Sequence, residues 1–230
     1  MRILTLILLS LYQLAWGQNE DKKIHVGLSL TPQLSVPVFD DAYLQRYEPR
    51  FGVAFGGDVN ADLSSKFQLR TGLEYQLARI TYRDYSPMFP GDVENGEVDV
   101  YRSYFDFRYV NSFVGVPIDL KYKLAKPEST NHVFVSAGIA IRYLISSSGE
   151  IQLVESGTPT IAYDPETFLF SGQDVWFYFA GGIGYEFKLG RGKCSIQPRY
   201  EFSPAKLLEE DASAIGNGHP AYVGIRMSYY

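Results

Sequence analysis

The chain reads as all-β: an eight-stranded antiparallel up-and-down transmembrane β-barrel. Three observations predict it. From Gln18 onward the dominant hydrophobic period is two, the repeat of a strand whose faces differ. Eight such runs occur, and the connections between them are short and long in strict alternation. Past the N-terminus every apolar run is broken by charge or glycine. Such a chain crosses a membrane only as a closed barrel, where every backbone donor and acceptor finds a neighbouring strand.

The first segment stands apart from the barrel. Arg2 is followed by Ile3-Leu4-Thr5-Leu6-Ile7-Leu8-Leu9, and the small residues Ala15 and Gly17 stand just before Gln18. That is the pattern of an export signal with its cleavage site. Its apolar part is shorter than the roughly 20 residues of a membrane helix. No cysteine lies near the cut to take a lipid. Residues 1–17 are expected to be a cleaved signal peptide and 18–230 the barrel domain.

The strands follow in order. In 25–31, Val26, Leu28 and Leu30 alternate with Gly27, Ser29 and Thr31. In 51–56, Phe51, Val53 and Phe55 alternate with Gly52, Ala54 and Gly56. In 67–77, Arg70, Glu74 and Gln76 interleave with Leu69, Leu73, Tyr75 and Leu77. The run 114–124 sets Asp119, Lys121 and Lys123 between Ile118, Leu120, Tyr122 and Leu124. The run 133–143 carries Val133, Val135, Ile139 and Ile141, with Arg142 in the other phase. The last three are 175–189, 194–202 and 221–229. Each is near the 9–11 residues of a tilted membrane strand. Pro117 and Pro198 predict bulges or a lost ladder bond. Gly181, Gly182 and Gly184 predict close approach.

Short turns join strands 2–3, 4–5 and 6–7, around Asp62 to Ser65, across Ala125 to Asn131, and at Gly190-Arg191-Gly192. Long connections are read at Pro37 to Arg50, Arg83 to Arg108, Ser146 to Gln173, and Ser203 to Gly218. Alternation puts all long loops on one rim and all short turns on the other. In outer-membrane barrels the turns are periplasmic and the loops extracellular.

Charge concentrates in one phase, and the apolar phase is almost free of it. The charged phase carries Asp58, Arg70, Glu74, Asp119, Lys121, Lys123, Arg142, Glu186, Lys188, Arg199, Glu201 and Arg226. If the apolar phase faces lipid, these face the lumen, where burial is costly unless the signs pair. Both signs occur in comparable numbers. The expectation is a structural ionic network of Arg70, Glu74, Asp119, Lys121, Arg142, Glu186, Arg199, Glu201 and Arg226 plugging a lumen just wide enough for side chains.

The remaining chemistry is sparse. A balance of 21 basic and 26 acidic residues lacks the basic footprint of a nucleic-acid binder. The single Cys194 excludes a disulfide framework and a cysteine-rich metal site. His25 and His132 fall near the short-turn rim and His219 near the other, so they cannot share a site. His219, with Asp211 and Ser213 near it in sequence, is the one candidate for hydrolysis at the outer wall, and next to Pro220 it reads as a loop-end histidine. The loop 92–99 carries Asp92, Glu94, Glu97 and Asp99 without the spacing of a calcium loop. Tyr101, Tyr104, Phe105, Phe107 and Tyr109 read as an outer aromatic girdle. No phosphate loop or zinc spacing occurs, and no catalytic residue, metal or cofactor is assigned.

Gly115-Val116-Pro117-Ile118-Asp119-Leu120-Lys121-Tyr122-Lys123, followed by 132–138 ending in Ala137-Gly138, resembles a strand pair of the PorT-like outer-membrane β-barrel family of Bacteroidota. Residues 222–230 look like that family's last strand. The resemblance implies an integral barrel of the cell outer membrane, and for one member a part in type IX protein secretion. The terminal aromatic departs from the usual pattern. Val223, Ile225, Met227 and Tyr229 are in phase and Tyr230 is one residue out, so either Tyr230 overhangs or the pattern ends at Tyr229. The reading is a non-enzymatic barrel, a structural or surface-binding element or a subunit of a secretion or assembly machine. Its partners would be outer-membrane lipid and proteins met through the long loops. Two other classes compete: an outer-membrane enzyme acting on lipid or peptide, and an exported soluble barrel holding an apolar ligand.

Overall fold

The computed structural model describes residues 24–36, 38–39, 45–84, 104–124, 131–155, 158–163, 174–205 and 218–230. The expected signal peptide lies outside these residues. Eight long strands form: β1 (Ile24–Ser35), β2 (Arg50–Asp62), β3 (Phe67–Asp84), β4 (Tyr104–Lys123), β5 (His132–Glu155), β6 (Val175–Leu189), β7 (Gly192–Phe202) and β8 (Ala221–Tyr229). Each pairs antiparallel with the next, and β8 pairs back with β1, so the sheet closes. Among the described residues there is no helix.

The closed sheet is tilted. Paired residues lead round the wall from Ser195 through Ser228, Ser29, Gly56, Glu74, Gly115 and Arg142 to Trp176. Continuing the β6–β7 register from there returns to β7 about ten residues beyond the start. Side chains that meet across the lumen are therefore set by tilt as well as by pairing.

The wall is inside-out relative to a water-soluble barrel. Leu28, Leu73, Phe179 and Ile183 are each about 60% exposed on the outer face. Arg70, Arg142 and Arg226 are each at most 2% exposed on the inner one. An outer face so apolar suits hydrocarbon, not water. At the short-turn rim Phe67 packs on Tyr122, ring centroids 5.1 Å apart, and Tyr185 stacks on Phe187 at 5.9 Å. Inside, toward the long-connection rim, Ala78, Ile80, Tyr109, Phe113, Ala140, Trp176, Tyr178 and Tyr222 form one apolar cluster.

Several wall glycines lie too close to neighbouring backbone to carry a Cβ, and two glycines shape the fold in other ways. A Cβ at Gly184 would stand 2.3 Å from the Phe134 ring, which fills that section of lumen. Gly190 opens the two-residue β6–β7 turn at φ +62°, a left-handed position suited to tight hairpins.

Several expectations are corrected. The strands run past the apolar alternation at the long-connection rim: β3 continues to Asp84, β4 begins at Tyr104, and β5 reaches Glu155. The Arg83–Arg108 and Ser146–Gln173 loops are therefore shorter than read. The reason is visible at Ser146-Ser147-Ser148, where polarity stops alternating although the backbone ladder with β4 continues. Gln45–Glu48 pairs with the end of β3, and Thr158–Tyr163 with the end of β5. Val38–Phe39, inside the connection 37–50, pairs with Gly218–His219 at the end of the connection 203–218, prolonging β1 and β8. Pro117 and Pro198, by contrast, bear out the lost ladder bond: each interrupts pairing on one side, without a bulge. The β4–β5 register shift falls instead between Ser112 and Phe113. Tyr109 belongs to no outer girdle: it is 3% exposed, inside the lumen, because the phase of β4 turns it inward. The side chains of Tyr101, Tyr104, Phe105 and Phe107 lie outside the described residues. Tyr230 does not overhang. It exchanges backbone hydrogen bonds with Lys193 and points inward, leaving Tyr229 outward.

Candidate functional site

The feature with most chemistry is the lumen between the aromatic cluster and the short-turn rim. Eight charged side chains from six strands form one alternating chain there: Asp58, Arg226, Glu74, Arg142, Glu201, Arg199, Asp119 and Arg70. None is more than 5% exposed.

Each link is a charge-assisted hydrogen bond. Arg226 Nη2 donates to Asp58 Oδ1 at 2.6 Å, and its Nη1 to Glu74 Oε2 at 3.1 Å. Arg142 Nη2 donates to both Glu74 Oε1 and Glu201 Oε2, each at 2.7 Å. Arg199 reaches Glu201 through Nε at 2.7 Å and Asp119 through Nη1 at 3.0 Å. Arg70 closes the chain on Asp119. Hydroxyls finish the Asp58 end: Ser29 Oγ accepts from Arg226 at 2.9 Å, and Ser228 Oγ donates to Asp58 Oδ2 at 3.2 Å. Four guanidinium groups face four carboxylates, so the chain is neutral. That neutrality is what makes burial of eight ions tolerable, since an unpaired ion in such surroundings is expensive. The Tyr178 ring lies 4.6 Å from the Arg142 guanidinium carbon and joins the ions to the aromatic cluster above.

Nine residues were singled out from sequence as a lumen network, and all nine side chains are buried. The geometry brings seven of them, with Asp58, into the chain. The other two sit lower. Lys121 Nζ lies 3.3 Å from Asn60 Oδ1 and about 5 Å from the Phe134 and Tyr230 rings. Glu186 accepts from the Tyr230 hydroxyl and lies 3.5 Å from His132 and 3.7 Å from Lys193. Phase named Lys188 as inward, but it is exposed because its position lies beyond the lumen at the rim. Lys123 likewise sits at the rim, 2.9 Å from Asp62. Asp58 carries the same phase signal as the nine.

The histidines fall at opposite rims: His25 and His132 at the short-turn rim, where Tyr230 contacts the His25 ring and the Glu186 beside His132, and His219 at the other. His25 lies 3.6 Å from Asp62, His132 beside Glu186, and the His219 ring nitrogen 3.2 Å from the Ala205 carbonyl. Asp211, Ser213 and the acidic loop 92–99 lie outside the described residues. Among the described residues no group of His, Cys, Asp or Glu is arranged to hold a metal.

The family described as "Outer membrane protein beta-barrel domain" has a sequence model that matches residues 16–203. No curated protein matches the chain. Among solved structures, the chain is similar to OprG from Pseudomonas aeruginosa, with 10% identity over 90% of this chain and 93% of that one and a TM-score of 0.44. It is similar to Neisserial surface protein A, with 7% identity over 90% and 98% and a TM-score of 0.38. It is also similar to Ail, the attachment invasion locus protein of Yersinia pestis, with 12% identity over 91% and 99% and a TM-score of 0.34.

Proposed function

The chain belongs to the outer membrane protein beta-barrel domain family, and from that premise we propose that it is a non-enzymatic outer-membrane barrel that works through its rims, not its lumen. One observation carries the reading: the neutral chain of eight ions spans the lumen and ties six of the eight strands together. A solute on the axis would have to break links worth several kcal/mol each. Activity then belongs to the long connections and the extended strand ends. There the barrel acts as a structural or surface-binding element or as a subunit of a secretion or assembly machine, in the manner the PorT-like resemblance implies. Export by a cleaved signal of residues 1–17 is part of the same reading and is checked by the N-terminal sequence of the purified protein.

Planar-bilayer recording tests the closed lumen. The purified barrel should give no stepwise ion conductance, and ion-selective steps in the unaltered protein would overturn the reading. Affinity purification from native outer membrane tests the machine. A stoichiometric co-purifying protein is expected, held through the long connections. Recovery of the barrel alone, after mild crosslinking, speaks against the subunit role.

A further inference from the structure

The two rims differ in charge. At the short-turn rim the described acids are both engaged: Asp62 lies 2.9 Å from Lys123, and Glu186 is 1% exposed beside His132 and Lys193. Lys66, Lys188 and Arg191 stand exposed on that rim. The connection 125–130 adds Lys126 and Glu128, which cancel. The opposite connections are acidic in sequence, with the runs 92–99 and 209–211 carrying Asp92, Glu94, Glu97, Asp99 and Glu209-Glu210-Asp211.

Each exposed cation stands beside interfacial aromatics. Lys66 precedes Phe67, which packs on Tyr122. Lys188 precedes the β6–β7 turn and Arg191 lies in it, next to the stacked Tyr185–Phe187 pair, and Tyr229 lies against Gly192, which follows the turn. Aromatic rings seat at headgroup depth, and a long cationic side chain there reaches the phosphate plane. We propose that the short-turn rim is a docking surface for anionic phospholipid headgroups of the leaflet it meets, with Lys66, Lys188 and Arg191 as the phosphate ligands. The proposal rests on the membrane-barrel reading and adds the lipid class, its location and its residues.

The test uses the full-length protein folded in dodecyl maltoside, titrated with dioctanoyl phosphatidylglycerol or dioctanoyl phosphatidylcholine and read by native mass spectrometry. One engaged cation should favour phosphatidylglycerol by about fivefold. The triple variant Lys66→Gln, Lys188→Gln, Arg191→Gln should bind the two lipids equally while keeping the heat-modifiable gel migration of a folded barrel. Arg79→Gln, an exposed change toward the other rim, should keep the preference. Equal binding of both lipids by the unaltered protein, survival of the preference in the triple variant, or displacement by equimolar inorganic phosphate would each overturn the proposal. Failure to obtain any heat-modifiable species would instead sink the barrel reading itself.

Discussion

Among single residues, Arg226 is one whose loss is costly, because among the described residues it is the cation of Asp58. Replacing Arg226 with Met would leave that carboxylate buried with only the hydroxyls of Ser29 and Ser228. The expected cost is about 3–5 kcal/mol, read as a lower midpoint of urea unfolding in vesicles. Adding Asp58→Asn should recover part of it. Arg79→Met, at an exposed site, should move the midpoint by no more than about 0.5 kcal/mol. The phase of Arg70, Arg142, Arg199 and Arg226 was legible in the sequence, because alternation alone assigns a face. Their partners were not. Glu74 meets Arg226 across 152 positions of chain, and that meeting depends on the tilt of the closed sheet.

At the scale of elements, β5 and β6 show how one position constrains a neighbouring strand. Gly184 on β6 leaves the space that the Phe134 ring of β5 fills. Gly184→Leu should abolish the folded, heat-modifiable band, and Phe134→Ala in the same chain should restore it. If the double variant also fails to fold, the pair is not the cause. In the β6–β7 hairpin, Gly190→Val forces a branched residue to φ +62° and should cost about 1–2 kcal/mol, seen as a lower unfolding midpoint with an unchanged folded spectrum. The middle of each strand was legible from polarity; the upper ends of β3, β4 and β5 were not. Where both faces meet water, as at Ser146-Ser147-Ser148, nothing in the side chains marks the continuing ladder. Tyr109 was misplaced for the same reason, since an aromatic beyond the alternating run carries no phase signal.

For the whole molecule, the inverted wall makes a direct prediction about location: the protein should sediment with outer membrane and resist carbonate extraction. Appearance in the soluble periplasmic fraction would contradict an apolar outer face with Leu28, Leu73 and Ile183 about 60% exposed. The neutral ion chain also bears on how the barrel closes. A strand that slips by one residue turns its apolar side chains into the lumen and is rejected by that alone. A slip by two preserves every inside and outside assignment, so alternation cannot detect it. Such a slip of β8 along β1 would carry Arg226 about 7 Å along the strand, out of reach of Asp58 and Glu74, and would strand buried ions on both sides of the seam. The last pairing is also the one joining the most distant parts of the chain, so the ions act as its proofreader: they distinguish the correct closure from the nearest wrong one that hydrophobicity would accept.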